Sequence, residues 1–132
     1  MARPADLVFD AAHPASLAHF WAAALDGYAV APYDAAEIER LRSIGITDPE
    51  DDPTVLVEPS DGTGVRLWFQ RVPEPKTVKN RVHIDLRSDD PPAEIDRLVA
   101  LGAQVDPHQG HPRLVVLRDP EGNEFCMLLE PG

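Results

Sequence analysis

Few side chains in this 132-residue chain can do chemistry near neutral pH: five histidines, one cysteine and a handful of acids placed beside them. His83 and Asp85 stand two apart in the alternating segment Arg81 to Arg87, so on a strand they project to one side, an imidazole beside a carboxylate. Arg66, Trp68 and Gln70 bear the same relation in an earlier alternating segment. Cys126, the lone cysteine, cannot close an intramolecular disulfide. Between Phe125 and Met127 it reads as a small buried residue; a nucleophilic role would need a lowered pKa, which His83 across a sheet could supply. His108 and His111, close to Arg113, read as an exposed loop, with closure over a ligand as the alternative. There is no phosphate-binding glycine loop, nucleophile elbow or zinc-finger spacing.

The elements that must hold these residues can be read from apolar period and punctuation. Length bounds the chain to one domain with a single core. A net charge of −11 repels phosphate backbones and anionic lipid, which excludes nucleic acid as the expected partner. No apolar run reaches the roughly 20 residues that cross a bilayer, no secretory leader is evident at Met1 to Asp10, and the lone thiol fits a cytoplasmic location.

Asp6 to Asp10 predicts a strand. Pro14 then opens a helix with Leu17, Phe20, Trp21, Ala24 and Leu25 on one face and Gly27 at its end. Tyr28 to Tyr33 predicts a second strand, and Asp34 to Asp52 an insertion carrying a short helix at Ala35 to Ile44. Thr54 to Glu58 and Val65 to Arg71 are the next strands, and Val72 to Asn80 a linker. The order then repeats: a strand at Arg81 to Arg87, a helix from Pro91 with Ile95, Leu98, Val99 and Leu101 toward the core, Gly102, then strands at Ala103 to Asp106, Leu114 to Arg118 and Glu124 to Leu129. Gly27 and Gly102 are 75 residues apart, as are Asp10 and Asp85. Two βαβββ modules in an α+β fold, module one at 1–72 and module two at 81–132, account for this order; an unrelated α+β sandwich is the alternative.

The segments His13-Pro14 through Phe20-Trp21 to Gly27-Tyr28, Phe69 to Pro73, Arg81 to Leu86 and Arg118 to Cys126 together resemble the vicinal oxygen chelate superfamily, and within it the glyoxalase-like domain proteins. The resemblance spans nearly the whole chain. It implies a cupped, partly open mixed sheet with helices outside and a small-molecule pocket between the sheets. It also implies a divalent metal on two His or Gln and two Glu residues, one from the first and one from the last strand of each module, acting as a Lewis acid. Lyases, isomerases, dioxygenases, thiol transfer and sequestration such as bleomycin resistance share this scaffold, and many members are homodimers.

Carried over by position, His83 fits the ligand place on the first strand of module two, with a structural histidine in the pocket wall as the plain alternative. Its repeat mate is Val8, or Phe9 after a one-residue slip, and neither can coordinate. The glutamate of module one falls at Trp68 or Gln70: an amide is a weak ligand, and an indole is a packing or stacking wall. That of module two falls at Cys126, whose thiolate suits zinc and not magnesium or manganese. The candidate metal set is therefore His83, Gln70 and Cys126, an incomplete one that argues against tight binding of the family ion and against a true glyoxalase I. Two functions follow: a protein that binds or sequesters a small molecule in a pocket lined by Trp68, Gln70, His83, Cys126, Tyr28 and Tyr33, or a lyase or isomerase of a small oxygenated metabolite with His83 as ligand or acid/base.

Overall fold

The computed structural model describes residues 1–130, so the last two residues expected in module two, 131–132, lie outside the described residues. The chain divides into two compact units, Met1–Pro75 and a second that begins at Lys76. Each carries its own four-stranded mixed sheet, as the βαβββ reading requires.

The first unit holds strands β1 (Asp6–Ala11), β2 (Tyr28–Val30), β3 (Thr54–Pro59) and β4 (Arg66–Arg71) in the order β1-β4-β3-β2. Strand β1 runs parallel to β4, with Val8 opposite Trp68 and Asp10 opposite Gln70. Alternation sends Leu7, Phe9 and Ala11 to one face of the sheet and Asp6, Val8 and Asp10 to the other. Helix α1 (Pro14–Ala24) covers the apolar face: Leu17, Ala18 and Trp21 are buried with Val55, Val57, Leu67 and Phe69. Phe9 stacks on Phe69 at 4.9 Å and meets Trp21 at 5.5 Å, so aromatic contacts weld helix to sheet. The insertion folds as helix α2 (Ala35–Ser43), capped by the Asp34 carboxylate accepting from the Glu37 N–H, and a short 3₁₀ turn at Pro49–Asp51. Buried Asp52 anchors it by accepting from the Tyr33 hydroxyl (2.8 Å) and the Thr54 N–H (2.9 Å).

The second unit repeats the plan with β5 (Asp85–Leu86), β6 (Gln104–Val105), β7 (Leu114–Arg118) and β8 (Glu124–Leu128) in the order β5-β8-β7-β6. Strand β5 is parallel to β8, with Asp85 opposite Cys126. Helix α3 (Pro91–Leu101) begins under an Asp90 cap and ends at Gly102, whose φ of 122° is open to glycine at little cost. Leu98, Leu117, Phe125 and Met127 form the buried apolar cluster of this unit.

Several boundaries differ from those the pattern predicts. The strand expected over Arg81 to Arg87 pairs only at Asp85–Leu86. Gly122 and Asn123, which precede β8 and would face Arg81 and Val82, are bent into a turn by the Asp119 carboxylate, which accepts the N–H groups of Glu121 and Asn123. The Asn80 N–H goes to the Glu124 side chain instead of a ladder. Strand β2 ends at Val30: the Ala31 N–H still reaches the Leu56 carbonyl at 2.9 Å, but Pro32 has no N–H to carry the ladder further. Val99 and Leu101, expected toward the core, are 43% and 39% exposed; only Pro91 and Leu98 of α3 are fully buried.

Candidate functional site

The uncovered face of each sheet carries its polar residues, and the two faces differ in chemistry. In the first unit the register aligns Asp6, Val8 and Asp10 beside Arg66, Trp68 and Gln70. Arg66 meets Asp6 through two bonds, of 2.7 and 3.0 Å, and lies 5.8 Å over the Trp68 ring. The Arg66 guanidinium holds the Asp6 carboxyl below the usual range. The Gln70 amide donates to Asp10 at 2.8 Å. Tyr28 and Tyr33 are elsewhere. Tyr28 projects to the α1 side with Val57, its hydroxyl donating to the Val65 carbonyl at 2.8 Å, while Tyr33 ties down Asp52. Burial raises the Tyr33 phenol, with the Asp52 carboxylate adding to it. Both hydroxyls serve the fold.

In the second unit, Cys126 lies on the central strand β8, backed by Val116 of β7 and flanked by Asp85 of β5. Its N–H donates to the Ile84 carbonyl at 2.9 Å, which fixes the chain just after His83. His83 Nδ1 is then 3.0 Å from Asp85 Oδ1 and 3.9 Å from Cys126 Sγ. The three donor atoms lie within 4.8 Å of one another, the thiol buried and the other two exposed. Burial pushes the Cys126 thiol up, and the Asp85 charge adds to it. His83 is adjacent, as the nucleophilic reading asks, but burial and the Asp85 charge work against the lowered pKa it also needs.

Beyond Val116 the same face opens into a depression of about 510 Å³ edged by Lys76, Lys79, Asp106, His108, Arg118 and Glu124. Arg118 pairs with Asp106 at 2.8 Å and Lys76 with Glu124 at 3.1 Å. The His108 N–H and Arg118 hold the Asp106 carboxyl low. Burial raises Glu124, but the Asn80 N–H and Lys76 outweigh it and leave it lowered. Of these, the sequence singled out only His108, and it missed the rest; the signal was the two-residue spacing of Glu124 and Cys126, which puts both on one face. His111 turns back on its own loop, accepting the Arg113 N–H at 3.1 Å.

The sequence matches the glyoxalase-like domain family over residues 6–128. The chain belongs to that family. Among solved structures it is similar to the hypothetical protein SA1046 from S. aureus, at 12% identity and a TM-score of 0.64 over 98% of this chain and 95% of that one. It is also similar to the fosfomycin resistance protein FosX from Mesorhizobium loti, at 13% identity and a TM-score of 0.62 over 98% and 93%. A bleomycin-binding protein complexed with bleomycin matches at 16% identity and a TM-score of 0.53 over 98% and 99%. These likenesses establish the glyoxalase/bleomycin-resistance/dioxygenase fold. No curated protein matches the sequence. Among the described residues no helix is long and apolar enough to cross a membrane.

Family membership also allows the metal positions to be tested on geometry. Asp10 faces Gln70 as Asp85 faces Cys126, so the repeat equates Gln70 with Cys126, and Val8 with His83. Val8 offers no donor, and the Gln70 amide is bonded to Asp10. The four equivalent positions thus hold an alkyl group, an amide, an imidazole and a thiol. That set does not fit the oxygen-preferring ion of the family.

Proposed function

We propose that this glyoxalase-like protein binds and sequesters a small molecule and is not a metal-dependent glyoxalase I. The observation that carries this reading is the replacement of the carboxylate positions by Gln70 and Cys126 together with the loss of any donor at Val8. An indole face with an arginine over it, beside exposed Val8, suits a planar or amphiphilic ligand. The 510 Å³ depression, with Lys79 at its edge, suits a polar or anionic group. The similar bleomycin-binding protein supports the reading at the level of fold. A cytoplasmic homodimer is part of the proposal, to be checked by light scattering.

The test is thermal denaturation of chelator-treated protein with bleomycin and a panel of aromatic and hydroxylated compounds. A ligand that raises the melting temperature without metal, and does so less in Trp68→Ala, supports sequestration. Turnover of an α-hydroxycarbonyl substrate that requires added magnesium, manganese or iron would overturn it.

One contact favours a second reading. Asp85 orients His83 at 3.0 Å and leaves the other ring nitrogen for proton transfer, the arrangement an isomerase or lyase would use as acid/base. Metal-free turnover lost in His83→Ala would select it.

A further inference from the structure

From the donor set of the second unit we infer that His83, Asp85 and Cys126 form a three-ligand site for one thiophilic divalent cation of the zinc class, with a coordination position open to solvent. The mismatch with the family's ion is what points to this chemistry. A tetrahedral ion with bonds of about 2.0–2.3 Å needs neighbouring donors about 3.3–3.6 Å apart. The distances here, 3.0 Å from nitrogen to oxygen and 3.9 Å from nitrogen to sulfur, straddle that span, and all three donors lie within 4.8 Å of one another, so side-chain adjustment of about an ångström closes the shell.

The backbone supports it. Cys126 is held between two strands, and Asp85 by its register with Cys126, so the backbone positions that carry two of the three donors are set before any ion arrives. His83 lies just outside the ladder with its side chain 41% exposed, so its ring can turn as the ion replaces the Asp85 contact. On binding, the Sγ–H bond breaks, its electron pair passes to the metal and the proton leaves to solvent. Three protein donors and an open position are the pattern of zinc sites that bind a further ligand, not of closed structural ones. The inference is independent of which organic molecule the protein binds.

Because Cys126 is the only cysteine, a thiolate signal can come from nowhere else. The metal-free full chain is titrated with Co²⁺, followed by the near-ultraviolet thiolate-to-cobalt charge-transfer band, and with Cd²⁺, followed by thermal shift. The band is expected to saturate at one equivalent, and excess Mg²⁺ is expected not to displace the ion. Asp85→Asn and His83→Ala, both at exposed positions, are expected to weaken Cd²⁺ by at least about 10-fold, the smallest loss seen even for outer partners of a metal ligand. Cys126→Ser is expected to abolish the band; should that buried variant misfold, the other two decide. Cobalt binding without the band, or Cd²⁺ affinity unchanged in both exposed variants, would overturn the inference.

Discussion

The two units pose one question twice and answer it differently. In each, the first strand runs parallel to the last and sets an aspartate opposite a polar residue: Asp10 opposite Gln70, Asp85 opposite Cys126. In the first unit the residue two before the aspartate is Val8, and Gln70 and Asp10 satisfy each other. In the second it is His83, and imidazole, carboxylate and thiol converge. The shared backbone supplies positions, and three side-chain identities decide which position can hold a ligand. Duplication of a fold therefore need not preserve duplicated chemistry.

The comparison can be broken at its frame. Phe69 and Phe125 occupy equivalent places one residue before Gln70 and Cys126, and both are fully buried. Replacing either by alanine is expected to cost about 3–5 kcal/mol in chemical denaturation. A cost from only one would mean the two sheets are not equivalent supports.

It can be sharpened by transplanting the donors. Val8→His combined with Gln70→Cys gives β1 and β4 the types found at 83, 85 and 126, with Asp10 already in place. Cd²⁺ stoichiometry by calorimetry is expected to rise from one to two. Each site is expected to stabilise by about 2.7 kcal/mol at a hundred times its dissociation constant. An unchanged stoichiometry would show that position and type together are not sufficient.

Acid separates the units at smaller scale. Asp106, whose carboxyl is held low, belongs to the second unit. A lowered carboxyl contributes stability that is full above the unfolded value near 3.9 and is lost as pH falls toward the folded one. Asp106→Asn is expected to destabilise at pH 7 by about 1.5–3 kcal/mol and to flatten the loss of stability below about pH 4. Undiminished acid sensitivity in that variant would move the cause elsewhere. The Asp6–Arg66 pair is the smallest effect: Asp6→Ala is expected to leave the melting temperature unchanged within error, because both side chains are solvated.

Much of the frame was legible because proline and glycine punctuate it. Pro14 and Pro91 open helices, and Gly27 and Gly102 follow them with positive φ. The strands that came out shorter than their pattern, β2, β5 and β6, all lie at sheet edges, where one neighbour decides how far pairing runs. The apolar pattern of Val99 and Leu101 looked like core because helical period records amphipathicity and not what covers it. The choice between Trp68 and Gln70 could not be made from sequence, since period two puts both on one face. The parallel register of β1 with β4, which joins residues 60 apart, sets Trp68 beside Val8 and Gln70 beside Asp10. Asp85 was expected on the same side of the strand as His83. The parallel pairing with β8 brings it to the thiol as well.

The account rests most directly on the claim that ligand chemistry resides in the second unit. Amide NMR spectra of the metal-free chain, recorded as Cd²⁺ is added to one equivalent, test it. The account predicts shifts concentrated at 83–86, at Cys126 and at its neighbour Val116, with Val8, Asp10 and Gln70 unmoved. Shifts at the Asp10–Gln70 pair with none around Cys126 would contradict it.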